Sequence, residues 1–219
     1  MKRDLKDIGS KVSKEFATNI FDDLRQMSVD GPGVSRSTYG PGETAAMKYC
    51  AELAESEGLS SYYDDAANLV IKLPGKVPDE PFIICGSHLD TVPQGGNFDG
   101  AAGVVAGLLS LIRMKREGVL PPRTIRVMAL RGEESAWFGQ CYLGSSALFG
   151  SLTKEDLART HRSTGKTLET YMVELGVKTK PILAGENLID ASAIAGYIEL
   201  HIEPTSHQGA LTLPCWHLD

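Results

Sequence analysis

The feature that most constrains the fold is a pattern of strand, loop, helix and strand between residues 82 and 130. The apolar run FIICG leads into the loop GSHLDTVPQGGNFDG, and the apolar stretch AAGVVAGLLSLIRMKREG then leads to a second apolar run, TIRVMAL. Short, continuous apolar runs are typical of strands that are covered on both faces. The long stretch between them predicts a buried helix that becomes charged and ends at Gly118.

The rest of the chain repeats this alternation. A four-residue apolar step predicts a helix over residues 12–28, and a second helix is expected over Glu43–Glu57. Strands are expected over Leu59–Asp64 and Asn68–Leu73, followed later by a helix in GQCYLGSSALFG and a strand in AIAGYIELHIE. Alternating strands and helices favour an α/β fold with three αβα layers, in which helices cover both faces of a mainly parallel mixed sheet.

Composition and charge narrow the class of protein further. With 219 residues, 42% hydrophobic and 23% charged, the chain is long enough for one domain, or for one domain and part of another. The net charge is −6 and no dense run of Lys or Arg occurs, so we expect no nucleic-acid partner. The N-terminus lacks the apolar core of a signal peptide and no segment is apolar enough to span a membrane, which predicts a cytoplasmic protein without membrane association. Four cysteines without CxxC spacing predict neither disulfides nor a cysteine metal site.

Acidic residues and imidazoles follow the predicted strands at four places. SHLD follows FIIC, FDG precedes the long helix, RGEES follows TIRVMAL, and HIE closes the last strand. Ligands of open α/β sheets bind at the carboxyl ends of the strands. The sequence therefore predicts a functional site in which these four segments meet.

The residue types at this site suit divalent metals. Zinc binds neutral imidazole nitrogen and carboxylate oxygen, and two metals close together need an anionic bridge such as an aspartate. Together two such ions polarise a carbonyl and acidify the attacking water. Residues that could supply the metal ligands are His88, Asp99, Glu134 and His201. Asp90 could orient His88, and Glu133 could act as the base that takes a proton from water.

Each assignment has a simpler alternative. The HxD motif could be a hydrogen-bonded turn, the two glutamates could be solvated surface charge, and His201 could be a half-buried strand histidine. His161 lies in a polar stretch, LARTHRSTGK, and is expected at the surface. Trp137 and Phe138 are expected to pack below the site.

Three segments resemble a known family. GSHLDTVPQGGNFDGAAGVVAGL, GEESAWFG and HIE are similar to the matching segments of the amidase, hydantoinase and carbamoylase family of dinuclear-metal amidohydrolases, over about Tyr39 to Glu203. The resemblance implies a zinc-peptidase-like catalytic domain in which His88 and His201 bind one metal and Asp99 bridges both. It also implies that Glu134 binds the second metal, Glu133 is the general base and Asp90 supports His88.

The resemblance also implies a reaction. The expected substrate is a small ureido or amide molecule, and the expected reaction is hydrolysis of a linear C–N bond, most simply removal of the carbamoyl group from an N-carbamoyl-L-amino acid. The alternatives are an aminoacylase or dipeptidase acting on an amide, and a catalytically inactive relic. Two divalent ions are expected, and zinc, manganese, cobalt and nickel all accept N and O ligands.

The C-terminal segment departs from the family pattern. Residues 1–203 correspond to the N-terminal part of the catalytic domain, whereas residues 204–219 do not match the family. The resemblance implies that a full-length relative continues with a lid or dimerisation domain, which would make it a homodimer, and with a last metal-binding histidine. Neither His207 nor His217 lies in a matching motif, although a role of His217 as the fourth ligand stays an alternative. We expect a catalytic domain that is incomplete at its C-terminus.

Overall fold

The computed structural model describes residues 12–77 and 81–202. The predictions for the tail over residues 204–219, including those for His207 and His217, lie outside the described residues. The same holds for Glu203, the last residue of the predicted domain and of the family-like segment.

Helices and strands alternate along the chain as the sequence predicts. In chain order the elements are α1 (Lys14–Gln26), β1 (Val29–Asp30), β2 (Gly33–Val34), α2 (Pro41–Ser56), β3 (Ser60–Tyr63), β4 (Leu69–Leu73), β5 (Phe82–His88), α3 (Ala101–Arg116), β6 (Ile125–Leu130), α4 (Leu143–Leu148), α5 (Lys154–Leu157), α6 (Leu168–Glu174), α7 (Thr179–Leu183) and β7 (Ile194–Glu199). Helix α1 begins where the Ser13 hydroxyl accepts a hydrogen bond from the amide of Phe16, an N-cap that satisfies one of the free amides of the first turn. Helices α5 to α7 and the β1–β2 pair were not predicted.

The main sheet is mixed, in the order β3-β4-β6-β5-β7. Strands β5, β6 and β7 run parallel to one another, whereas β4 is antiparallel to both of its neighbours. The α/β architecture with a mixed sheet is therefore confirmed, but parallel pairing covers only half of the sheet. The pairing of β3 with β4 is antiparallel because a short turn over residues 64–68 connects them, and a short turn can join only antiparallel strands.

The largest core lies between one face of the sheet and helices α1, α2 and α3. The four-residue apolar step of α1 forms this contact, because Phe16, Ile20 and Leu24 are all buried. Helix α3 buries apolar residues along most of its length, including Leu108 and Ile112, as expected of a helix covered by both the sheet and its neighbours.

The opposite face of the sheet carries a smaller core, to which Phe82, Met128 and Leu148 contribute. A third cluster contains Trp137 and Phe138 together with residues of α4 to α7. The prediction that these two aromatic side chains pack rather than face solvent is confirmed. Among the helices described, none is long and apolar enough to cross a bilayer.

Among the described residues, strand β7 forms one edge of the sheet and pairs only with β5. Large apolar side chains at and beyond this strand are exposed, among them Ile198 at 65% and Leu200 at 55%. This edge is therefore the least covered part of the sheet.

Candidate metal centre

The predicted site residues meet at one end of the parallel strands. His88 is the last residue of β5, Glu133 and Glu134 follow β6, and His201 lies two residues beyond the end of β7. Because these strands are parallel, their carboxyl ends lie at the same edge of the sheet. Asp99 comes from the loop that precedes α3.

His88 is held in one orientation. Its Nδ1 lies 3.0 Å from the main-chain oxygen of Asp90 and 3.2 Å from Oδ1 of the same residue. The other ring nitrogen, Nε2, faces Asp99 Oδ1 at 3.7 Å, Glu133 Oε2 at 3.6 Å and His201 Nε2 at 3.3 Å. A histidine that binds a metal is oriented in this way, with one nitrogen fixed by a carboxylate or carbonyl and the other free to bind.

Asp90 also connects the two loops of the site. The amide of Glu133 donates to its Oδ1, and the amide of Glu134 donates to its Oδ2, both at 3.1 Å. The hydroxyl of Thr38 donates to the same Oδ2 at 2.6 Å. Asp90 is fully buried, so this one carboxylate fixes both the ring of His88 and the backbone that carries the two glutamates.

The loop that carries Asp99 contains a glycine, Gly100, whose backbone lies close to the ring of His88. Gly100 has φ +61°, and a Cβ at this position would lie 2.5 Å from Nδ1, Cε1 and Nε2 of the His88 ring. The left-handed backbone and the absence of a side chain are therefore both required where this loop enters α3.

The site concentrates negative charge around His88. Burial lowers the pKa of His88, but its hydrogen bond to Asp90 and the charges of Asp90, Glu133 and Asp99 outweigh burial and raise that pKa to about 9. Burial and the charges of Asp99 and Asp90 raise the pKa of Glu134 to about 7. Burial likewise raises the pKa of Glu133, although the positive charge of His88 acts in the opposite direction. These shifts show that the acidic residues favour a cation at this place.

Three observations indicate that a divalent metal fits the site. Ligand atoms of His88, Glu133 and His201 lie within 4.8 Å of one another, and so do those of His88, Asp99 and Glu134. Asp99 Oδ1 is buried and accepts no hydrogen bond from any described residue, although buried carboxylates are normally paired. Two nitrogens bound to one tetrahedral zinc lie about 3.3 Å apart, the separation found between the two imidazoles.

One sequence prediction is wrong and several neighbours of the site were missed. His161, expected at the surface, is only 4% exposed and lies between the rings of Trp137 and Tyr171. Its position follows from tertiary packing, since the local sequence is polar. Thr38, which contacts Asp90, lies in a Gly- and Pro-rich stretch that gave no local signal. Trp137 also contacts the site loop, because its indole nitrogen donates to the main-chain oxygen of Thr91 at 2.6 Å.

Comparison with known proteins identifies the family. The profile described as "Peptidase family M28" matches residues 68–179, about half of the chain, so the chain belongs to this family. The matched region begins before β4 and extends into α7, and it includes His88, Asp99, Glu133 and Glu134.

Several proteins to which the chain is similar are amidohydrolases. It is 34% identical to the allantoate amidohydrolase of Bacillus subtilis, over 80% of this chain and 42% of the relative. It is 32% identical to the N-carbamoyl-L-amino-acid amidohydrolase of Paenarthrobacter aurescens, over 83% of this chain and 43% of the relative. A crystal structure of a hydantoinase/carbamoylase family amidase from Burkholderia ambifaria matches with a TM-score of 0.71 and 27% identity, covering 86% of this chain and 46% of the other. The resemblance predicted from the sequence is confirmed, and the chain spans less than half the length of these relatives.

Proposed function

We propose that this edge of the sheet is a two-metal hydrolase centre. His88 and His201 would bind one ion, Asp99 would bridge both ions and Glu134 would bind the second. The observation that carries the proposal is the buried Asp99 Oδ1, which faces His88 Nε2 and has no hydrogen-bond partner in the part of the chain that the structure describes. An acceptor placed in this way suits a cation.

The chemistry divides between the ions and the protein. Divalent ions at these ligands would act as Lewis acids on a substrate carbonyl and make water a better nucleophile at neutral pH. The protein holds the ligand set through Asp90, which fixes both the His88 ring and the loop of the two glutamates. Glu133 is half-buried beside His88 and has a raised pKa, which suits a group that takes up a proton and releases it again.

The proposed reaction is hydrolysis of a linear C–N bond in an N-carbamoyl (ureido) amino acid. Water attacks the carbamoyl carbon, and Glu133 accepts a proton from that water. The carbon–nitrogen bond then breaks, Glu133 passes the proton to the leaving amine, and the released carbamate decomposes to carbon dioxide and ammonia. The names of the relatives support this substrate class, because they are an allantoate amidohydrolase and N-carbamoyl-L-amino-acid amidohydrolases.

A second candidate is hydrolysis of an amide, as in a dipeptidase or aminoacylase. The match to a peptidase family favours it, because such enzymes apply the same chemistry to a carbonyl bonded to a different leaving group. An assay for ammonia with several ureido acids, run beside an assay for free amino groups with dipeptides and N-acyl amino acids, separates the two. Metal analysis of the same sample must show bound divalent ions in either case. A chain without bound metal and without turnover on any of these substrates would be the inactive relic.

We expect Glu133→Gln to reduce turnover by about 10²-fold to 10⁴-fold, the usual contribution of a general base. Glutamine keeps the shape of the side chain but cannot accept the proton. Measuring kcat together with the metal content of the variant tests this role. Unchanged turnover in a variant that still binds metal would remove Glu133 from the reaction.

We expect Gly103→Ala to weaken metal binding at the His88–His201 pair. A Cβ on Gly103 would overlap the main-chain oxygen of Leu200 and lie 2.7 Å from Cβ of Ser87, so α3 would push the residue next to His201 away from β5. Titration with Mn²⁺ measures the effect. Gly196→Ala in β7 is the control, because a Cβ there meets nothing within 4 Å, and equal affinities of the two variants would contradict the prediction.

A further inference from the structure

Arg36 is a buried cation beside the metal centre that the proposed reaction does not use. It follows β2 and has 0% exposure. Its amide donates to Thr91 Oγ1 at 3.0 Å, and its main-chain oxygen accepts from the amide of Thr91 at 3.0 Å. The backbone of residue 36 is thereby paired with the residue that follows Asp90.

The guanidinium group joins two segments of the site. Its Nε donates to the main-chain oxygen of Leu89, the residue before Asp90. Its Nη1 donates to Asn97 Oδ1 at 3.4 Å and its Nη2 to the main-chain oxygen of Asn97 at 3.5 Å, two residues before Asp99. Nη1 also donates to Ser28 Oγ at 3.2 Å. Arg36 thus links the segment that carries His88 and Asp90 to the segment that carries Asp99.

The acceptors of this guanidinium are all neutral. Arg131, which is also buried, donates to the carboxylate of Glu43 at 2.7 Å. In contrast, over residues 12–77 and 81–202, Arg36 forms no ion pair and donates only to carbonyl, amide and hydroxyl oxygens. A buried cation without a counterion is costly. Burial lowers the pKa of Arg36, and the charge of Asp90 opposes this most strongly, with Asp99 acting in the same direction.

We propose that Arg36 is a positioning residue of the metal centre, a fixed countercharge that holds the acidic segments together while no metal is bound. The proposal rests on the metal centre proposed above. Asp90 and Asp99 lie on the two segments that Arg36 joins. The main-chain amides of Glu133 and Glu134 donate hydrogen bonds to the carboxylate of Asp90. Without a metal ion these four carboxylates repel one another, and His88 is the positive charge that lies among them. Arg36 adds a second positive charge, which its hydrogen bonds to Leu89 and Asn97 fix beside the segments of Asp90 and Asp99.

A countercharge role of Arg36 predicts a different effect on metal binding than a purely structural role. A divalent ion at the site performs the same neutralisation, so the ion and Arg36 repel each other. Removing the charge of Arg36 should destabilise the metal-free protein and at the same time increase the stabilisation that a metal brings. Loss of a merely structural contact would instead weaken the site and lower the affinity for metal.

The test compares Arg36→Met with Arg36→Lys, using Mn²⁺ as the probe. Both variants lose the planar guanidinium group, but only lysine keeps the positive charge. The difference between the two variants in stability and in Mn²⁺ affinity therefore reports the effect of the charge. We expect Arg36→Met to have the lower melting temperature without metal and to bind Mn²⁺ about tenfold more tightly than Arg36→Lys. Calorimetric titration and thermal melts with and without MnCl₂ measure both quantities.

Arg116→Met is the matched control. Arg116 pairs with Glu57 near the last turn of α3, about 20 Å from the start of that helix, and its loss changes the net charge equally. Its Mn²⁺ affinity should equal that of the unmodified chain. If Arg36→Met does not fold without metal, Arg36→Gln replaces it, and refolding of either neutral variant by Mn²⁺ supports the proposal.

Three outcomes would overturn the proposal or its basis. Equal or weaker Mn²⁺ binding by Arg36→Met than by Arg36→Lys rejects the countercharge. Neutral variants that stay unfolded with Mn²⁺, while the lysine variant folds, show that Arg36 serves the fold itself and also reject it. An unmodified chain that does not bind Mn²⁺ at all rejects the proposed metal centre instead.

Discussion

Replacing Gly100 by alanine is expected to abolish metal binding at His88. The added Cβ would lie 2.5 Å from three atoms of the imidazole ring, and the backbone there has φ +61°, which L side chains rarely adopt. The ring cannot move aside without losing both contacts of its Nδ1 to Asp90. We therefore expect loss of Mn²⁺-dependent thermal stabilisation, and loss of any turnover by two orders of magnitude or more, as about 1 Å of misplacement can produce.

Gly96 provides a matched control in the same loop. A Cβ on Gly96 meets nothing within 4 Å, so Gly96→Ala should leave Mn²⁺ binding unchanged. Circular dichroism of both variants establishes that each is folded. Mn²⁺ affinity in Gly100→Ala equal to that of Gly96→Ala would show that the ring of His88 does not occupy the ligand position proposed for it.

Replacing Arg131 by methionine is expected to lower the free energy of unfolding by about 3–5 kcal/mol, the usual cost of breaking a buried ion pair by removing one partner. Arg131 is 1% exposed, and its Nη1 donates to Glu43 Oε2 at 2.7 Å. Glu43 is fully buried and also accepts from the amides of Tyr39 and Gly132, so its carboxylate would remain in the core without its cation. Urea denaturation measures the change.

The effect of Arg131→Met should depend on pH. Burial raises the pKa of Glu43 to about 7, although Arg131 acts against this. A carboxyl group whose pKa is raised on folding contributes stability that is fully present below about pH 4.5 and is lost as the pH rises through about 7. Removing Arg131 raises that pKa further, so the loss continues to higher pH. The difference between variant and unmodified chain should therefore be larger at pH 8 than at pH 5.

An exposed ion pair supplies the control for this result. Lys166 and Glu174 pair at 2.7 Å with about half of each side chain exposed, and Lys166→Met removes the same charge as Arg131→Met. Such a pair contributes about 0–1 kcal/mol. A change in Arg131→Met no larger than that in Lys166→Met would show that the buried pair does not stabilise the fold.

The sequence was sufficient for features that depend on local pattern. The apolar step of α1 and the continuous run of β5 appear in the structure because short-range periodicity determines which face is buried. The convergence of His88, Glu133 and His201 was also predictable, since each lies at or just beyond the carboxyl end of one of three parallel strands and such strands end at the same edge.

Features that depend on distant contacts could not be predicted. Arg36 lies in GPGVSRSTYGPGE, which indicates only an interruption, and its partners Leu89 and Asn97 are 53 and 61 residues away. His161 is buried because two aromatic rings from separate segments enclose it, which its polar neighbours in sequence do not indicate. The antiparallel pairing of β4 with β6 likewise joins segments separated by two other elements.

A metal ion bound by His201 would also affect the stability of the exposed edge strand β7. His201 follows the outermost strand, and its imidazole reaches His88 at the end of β5, the strand beside the central strand β6. An ion bound by both His88 and His201 would crosslink β5 and β7. Local unfolding of β7 and binding of the ion would therefore be thermodynamically linked. Amide hydrogens of Tyr197 and Ile198 should then exchange with deuterium more slowly after Mn²⁺ is added, while those of β3 at the opposite edge keep their rates.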